Sequence, residues 1–368
     1  MASGPRKIRY AVAGLGSIAQ ASVLPAFKNA DNCELAALIS NDETKLDELG
    51  KLYSVDRKFT YSQYDDCMNS GHVDAVYIAL PNHMHREYTE RAARAGVHVL
   101  CEKPMAVTEE DCDHMIRTCH GNNVKLMIAY RLHFEEGNLE AIRLATSGEL
   151  GEVRLFTSTF AQQVPAGDTR VRRATGGGTL FDMGVYCINA ARYIYRDEPD
   201  EVSCFTAANK DPRFREIEEM AACTLRFPGD RLATFICSFG ASALDAYTIV
   251  GTKGSLHVEP SYHYATAIKH HLKIGEQEHV REFPHRDQFA PELIYFADCI
   301  QNNHEPEPSG VEGLADVRIV RALYRSAADE RPVRLDSFEK RVRPQPDQSI
   351  HKPPVEPKQF VNARDPES

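Results

Sequence analysis

From Lys7 to Tyr130 the chain alternates short, continuously apolar runs with amphipathic helical stretches, a pattern that few architectures accept. KIRYAVAG, CELAALIS, VDAVYIAL, VHVLCE and VKLMIAY read as strands, mostly apolar along their length and so buried on both faces. SIAQASVLPAFKNA, ETKLDELGKLY, HREYTERAARAG and EEDCDHMIRTCHG read as helices between them. In the last of these, Cys112, Met115, Ile116 and Cys119 fall at i, i+3, i+4 and i+7, one apolar face. Such strands alternating with helices predict a doubly wound parallel sheet of the α/β class.

The rhythm changes after Arg131. EGNLEAIRLATSG reads as a helix, VRLFTSTFAQQV as a strand, and residues 178–193 as a further helix. EVSCFTAA, AACTLRF, RLATFICSF, AYTIVG, SLHVE, HHLKIG and HVREF then follow as strands, most of them joined by short Gly, Pro or Asp turns, which signals antiparallel hairpins. Two closing helices are expected near residues 287–301 and 311–328. The second fold is thus α+β, an open, mainly antiparallel sheet with flanking helices. From Arg341 the tail is rich in Pro and charge and reads as an extended arm or as disordered. The expected division is residues 1–131, a dinucleotide-binding domain, residues 132–340, a substrate and oligomerisation domain, and residues 341–368, the arm.

The length of 368 residues suffices for two separate cores. A net charge of −10 argues against nucleic acid or an anionic membrane as partner, because both need a basic surface. No apolar run approaches the roughly 20 residues that span a bilayer, and the start of the chain lacks the apolar core of a secretory signal. The 10 cysteines are scattered without a C-x-x-C, most inside apolar runs, as buried reduced thiols are. A cytoplasmic protein is therefore expected. His263, His270, His271 and His279 form the densest histidine group but lack a paired ligand spacing, so no metal is expected. AACTLRF, AYTIVG and LATFICSF carry more apolar residues than one buried face needs. That predicts a homodimer or homotetramer through the second sheet, with the tail available to wrap a neighbour.

Gly14-Leu15-Gly16-Ser17-Ile18-Ala19 is a G-x-G-x-x-A fingerprint between the first strand and first helix. Its glycines permit a tight turn and let backbone amides approach a pyrophosphate at a helix N-terminus. The second strand selects the dinucleotide. NAD sites usually place an acid at its end for the ribose 2′-hydroxyl. Here Ser40 stands in that place, followed by Asn41, with Lys45 one helical turn on as a counter-charge to a 2′-phosphate. NADP is expected; NAD is the alternative should the strand run two residues further and offer Asp42.

Two more segments close parallel strands, where ligands bind in open α/β sheets: Ala79-Leu80-Pro81-Asn82-His83-Met84-His85, and Glu102-Lys103-Pro104 after Cys101. With the glycine turn they closely resemble the Gfo/Idh/MocA family, whose hallmark is Glu-Lys-Pro at this place. The resemblance runs from about Lys7 to Leu335, and CEKPMA, MIAYRLHF and TGGGTLFDMGVYCINAARYI are most similar to the glucose–fructose oxidoreductase and NADP-dependent aldose dehydrogenase branch.

The resemblance implies a catalytic group of Lys103, Asp182 and Tyr186. Asp182 and Tyr186 are four apart and share a helix face. It also implies cofactor contacts from Ala79, Leu80, Pro81, Asn82, His85, Glu102, Lys103 and Arg131, and from Arg170 in the basic stretch shared with Arg172 and Arg173. The chemistry agrees. Oxidising a sugar C1 hydroxyl to a lactone needs a base as hydride leaves for the nicotinamide. Tyrosine is a poor base at neutral pH, and a neighbouring ammonium favours its phenolate. In the reverse direction the same tyrosine is the acid. The exported relatives hold NADP with a long N-terminal arm, and this chain begins a few residues before its first strand, so an exchangeable cofactor is expected. Two other readings stay open on the same fold: cofactor-assisted glycoside hydrolysis, and a non-catalytic sugar- and nucleotide-sensing regulator.

Overall fold

The apolar runs of the first third form a parallel sheet in the order β3-β2-β1-β4-β5-β6. Its strands are β1 (Ile8–Ala13), β2 (Cys33–Ile39), β3 (Lys58–Phe59), β4 (Ala75–Ile78), β5 (His98–Glu102) and β6 (Leu126–Ala129). The structure is a computed structural model and describes residues 6–208, 210–340, 342–357 and 359–364. The outer ends of the first expected domain and of the arm, with Arg341 at the arm's start, lie outside the described residues. The pairing of β3 spans two residues, Leu38 with Lys58 and Ile39 with Phe59, too short to leave an apolar period in the sequence.

Continuous apolarity is satisfied by two cores, one on each face of the sheet. Tyr10 and Val12 of β1 face one and Ala11 and Ala13 the other. The helix Glu109–Gly121 buries Cys112, Met115 and Cys119 and is capped by Thr108, whose side chain accepts from the Asp111 amide at 3.1 Å. The strand order reverses between β1 and β4, and the loops leaving those strands flank the ligand crevice of such sheets.

The second sheet has the order β14-β13-β12-β11-β7-β10-β9-β8-β15. It comprises β7 (Val153–Ala161), β8 (Glu201–Ala207), β9 (Met220–Phe227), β10 (Arg231–Ser238), β11 (Leu244–Gly251), β12 (Gly254–Glu259), β13 (Ile268–Ile274), β14 (Gln277–Phe283) and β15 (Val333–Arg334). All its pairings are antiparallel except β7 with β10. One face packs on the helices Val185–Tyr195 and Gly310–Asp329 in a third core. Phe156, Phe227 and Phe235 are buried there, each stabilising the fold by about 1.5–3 kcal/mol. The opposite face is open, and along β9 residues alternate strictly between exposed and buried.

Two long-range features tie the halves together. The helix Ala290–Gln301 follows the second sheet in sequence, yet Leu293, Phe296 and Ala297 pack into the core beside β1. The Pro-rich arm runs back over its own chain. Ile350 N donates to Phe134 O at 3.3 Å, Asp287 N to Lys352 O at 3.1 Å and Asn29 Nδ2 to Pro353 O at 2.7 Å. All 10 cysteines are buried and unpaired. Among the described residues no helix is long and apolar enough to cross a membrane, and no group of three or more His, Cys, Asp or Glu could hold a metal.

Candidate active site

The glycine turn leaves β1 against the loop that leaves β4. Gly14 has φ +94°, and a Cβ there would lie 2.3 Å from Ala79 O, so no other residue permits this close approach. Gly16 has the opposite surroundings: a Cβ would meet nothing within 4 Å. That open cradle sits at the start of a helical stretch over residues 17–26, which widens into a π turn at Ala19–Val23. Ser17 and Ile18 are half-buried and Ala19 is fully buried. Unpaired amides at a helix start facing open space suit a pyrophosphate, so these residues fit a dinucleotide.

At the end of β2, Ser40 is buried and its Oγ accepts from Asp42 N at 3.1 Å. Asn41 is exposed and its Oδ1 accepts from Tyr61 N at 2.9 Å. Asp42 caps the following helix, accepting from Lys45 N at 3.1 Å, and this bond, with further donors around it, holds its carboxyl below the usual value. Lys45 lies beside it, half-buried, so a cation and hydroxyl and amide groups meet at this strand end.

The loop after β4 places Ala79, Leu80, Pro81 and Asn82 along the crevice, and Asn82 Nδ2 donates to Gly176 O at 2.9 Å. His85 takes a different place from the one expected. The helix beginning at His85 turns its side chain inward, where it is 0% exposed. Its Nε2 lies 2.8 Å from Leu80 O and its Nδ1 3.0 Å from Pro104 O. Burial depresses its pKa while the surrounding carbonyls oppose that shift. His85, expected as a cofactor contact, is thus fully buried and clamps two strand-end loops together.

Glu102 and Lys103 end β5 at the crevice. Tyr77 Oη donates to Glu102 Oε1 at 2.7 Å, and burial raises the Glu102 pKa. Lys103 Nζ donates to Asp182 O and to Asp182 Oδ1, both at 3.0 Å, and lies 4.7 Å from the centre of the Tyr186 ring. Burial disfavours the ammonium, yet Asp182 and Glu102 beside it hold the Lys103 pKa above the usual lysine value. Burial likewise pushes Asp182 up, and Lys103 and Arg170 outweigh it, so its carboxyl stays below the usual range. Arg170 Nη1 donates to Asp182 Oδ2 at 3.3 Å. Arg172 and Arg173 turn away, to Gly167 O and to Glu216.

Arg131 also lies over Tyr186, its guanidinium 5.2 Å from the ring centre. It is buried and bonded to Gln288 and to the Tyr262 carbonyl. Tyr186 itself is half-buried on the helix Val185–Tyr195, edge-on to Phe160. The structure thus gathers Lys103, Asp182, Tyr186, Arg131, Arg170 and Glu102 in one cluster beyond β5, and places the glycine turn, Ser40 and Lys45 beyond the ends of β1 and β2. Sequence reasoning passed over Tyr77 and Gln288. Each holds its partner across a long sequence separation, and neither sits in a motif.

The chain matches the oxidoreductase family with an NAD-binding Rossmann fold over residues 8–130 and the GFO/IDH/MocA C-terminal domain over residues 138–257. It is 32% identical to D-xylose 1-dehydrogenase [NADP(+)] of Haloarcula marismortui, covering 89% of this chain and 93% of that protein. It is 29% identical to D-xylose 1-dehydrogenase (NADP(+)) 2 of Haloferax volcanii, covering 89% and 99%. Among solved structures, the aldose-aldose oxidoreductase from Caulobacter crescentus, complexed with glycerol, is 37% identical and superposes with a TM-score of 0.86 over 90% of this chain and 100% of that one.

Proposed function

This chain belongs to the Gfo/Idh/MocA oxidoreductase family, and on that footing we propose that it transfers hydride between the C1 hydroxyl of an aldose and NADP. The observation that carries the reading is Lys103, fixed by Asp182 at 3.0 Å and poised 4.7 Å from the Tyr186 ring centre. When bound, NADP supplies the hydride acceptor at its nicotinamide ring. Gly14, Gly16, Ser17, Ile18 and Ala19 hold its pyrophosphate, and Ser40, Asn41 and Lys45 its 2′-phosphate. Ala79, Leu80, Pro81, Asn82, Glu102 and Arg131 line its path toward the nicotinamide end.

In this reading Tyr186 Oη takes the proton from the sugar hydroxyl. The Lys103 ammonium stabilises the phenolate that accepts it, and Arg131 adds a second positive charge over the same ring. Asp182 orients Lys103, and Arg170 steadies Asp182 through its other carboxylate oxygen. In reverse, Tyr186 returns the proton to a carbonyl. The product of oxidation is a lactone.

Residues 1–131 carry the cofactor in this account, residues 132–340 the sugar and the subunit interface, and the arm follows. Ten buried, unpaired thiols support a reducing, cytoplasmic compartment. The open face of the second sheet supports a homo-oligomer. Phe205 is 78% exposed and Ile236 50%, and both register with Ala222 on the strand between them. The test of the reading is to titrate the protein with NADP and NAD and then supply aldoses, D-xylose among them. NADP bound more tightly, with lactone formed from an aldose, is the expected result; tighter NAD binding or no lactone from any aldose contradicts it.

A further inference from the structure

Residues 361 and 362 of the arm lie against the glycine turn and the end of β2, at a place no motif in the sequence marks. Val361 is 5% exposed and packs into the core that holds Leu15 and Ala19 of the glycine turn. Its backbone pairs in both directions with the side-chain amide of Gln20: Val361 N donates to Gln20 Oε1 at 2.7 Å and Gln20 Nε2 to Val361 O at 2.9 Å. The same Nε2 donates to Leu15 O at 2.9 Å, inside the turn itself. Gln20 is 2% exposed, so these bonds are shielded from water.

The next residue reaches the other half of the adenosine site. Asn362 sits in the left-handed region at φ 46°, which Asn tolerates better than most residues, and its Nδ2 donates to Asp42 Oδ2 at 3.0 Å. Asp42 Oδ1 is already taken by Lys45 N. The acid nearest the end of β2, the one able to accept a ribose 2′-hydroxyl, therefore has both oxygens engaged. Lys352 pairs with Asp31 at 3.1 Å and Asn29 binds Pro353 O at 2.7 Å, so the arm is fastened upstream before it arrives.

We infer that Val361 and Asn362 make the arm a cofactor strap: it bridges the glycine turn and the end of β2, slows dinucleotide release, and favours NADP by occupying Asp42. The inference rests on the proposed NADP reading. Removing the Asn362 amide frees a carboxylate oxygen that repels a 2′-phosphate and accepts a 2′-hydroxyl. Displacing Val361 unfastens the turn.

The test uses the full-length protein. Nucleotide release is followed by stopped-flow fluorescence of NADPH, affinities for NADP and NAD by calorimetry, and the Val361 amide by hydrogen exchange without nucleotide. Wild type should protect that amide and bind NADP more tightly than NAD. Asn362→Ala, on an exposed side chain, should lower the NADP-over-NAD preference about tenfold. Val361→Glu should expose the arm to exchange and speed NADPH release about tenfold or more. Wild type preferring NADP while both variants keep its release rate and preference overturns the strap and leaves the cofactor reading intact. Wild type binding neither nucleotide, or preferring NAD, overturns the cofactor reading, and the strap with it.

Discussion

At the scale of single residues the site is organised by one ion pair. Asp182 is held below the usual carboxylate range and Lys103 above the usual lysine value, so the two directions agree. A depressed acid contributes stability above its unfolded pKa and loses it as pH falls through the folded one. A raised lysine contributes below its unfolded pKa and loses it as pH rises through the folded one. The pair's contribution is therefore fully present between the unfolded pKa values of the two groups, about pH 4 and about pH 10.5. Asp182→Asn should destabilise the protein by about 1–3 kcal/mol, evenly across neutral pH, with the difference from wild type shrinking below about pH 4. Chemical denaturation at several pH values reads this, and a difference that grows on acidification contradicts it. A second expectation concerns the phosphate end. Lys45→Ala should weaken NADP binding by about tenfold and leave NAD nearly unchanged, because the cation contributes only where a phosphate meets it. Equal loss for both nucleotides contradicts that role. The glycine turn and Glu-Lys-Pro were legible as residues because each is a contiguous motif at a strand end. His85 was not. It follows a strand as ligand residues do, but helix phase turns it inward, and phase at a helix start is not fixed by composition.

At the scale of elements, continuous apolar runs marked β1, β2, β4, β5 and β6, and the short Pro-Gly-Asp turn marked the hairpin of β9 and β10. What could not be read were charged residues whose partners lie far along the chain. Arg192 is fully buried on the helix Val185–Tyr195, where sequence alone suggests a solvated helix arginine. It bonds Glu198 at 2.7 Å and Asp316 at 2.6 Å, and it also bonds Glu312. Those last two acids face it from the helix Gly310–Asp329, so the cluster fastens the two helices beneath the second sheet. Glu198 also pairs with Arg343 at 2.8 Å and Glu312 with Lys340 at 2.7 Å. Arg192→Met therefore leaves the buried Asp316 without a cation and weakens the neutralisation of the other two, an expected loss of about 3–5 kcal/mol. Urea unfolding with an unchanged slope measures it; a loss under about 1 kcal/mol would show that the cluster relaxes without cost.

At the scale of the whole molecule, two surfaces decide how the chain behaves in solution and with its cofactor. The Pro-rich composition of the arm indicated extended backbone, but composition carries no information about which surface an extended segment lies on, and the arm lies on its own glycine turn. The open face of the second sheet was legible from surplus apolar residues in its strands, and Phe205, Ile236, Leu232 and Leu244 are exposed there. Under the proposed homo-oligomer, Phe205→Lys with Ile236→Lys should give a monomer by light scattering where wild type gives a dimer or tetramer, with the fold intact by circular dichroism. An unchanged mass would place the interface elsewhere. In the proposed reaction Tyr186 moves the proton when an aldose is oxidised by NADP, and a single-turnover experiment reads that step. Protein loaded with NADP is mixed with excess aldose, and NADPH fluorescence is followed for wild type and for Tyr186→Phe. The account predicts that wild type reduces its NADP on mixing and that Tyr186→Phe binds NADP as tightly but reduces it about 10²–10⁴-fold more slowly. Reduction by Tyr186→Phe at the wild-type rate would contradict it.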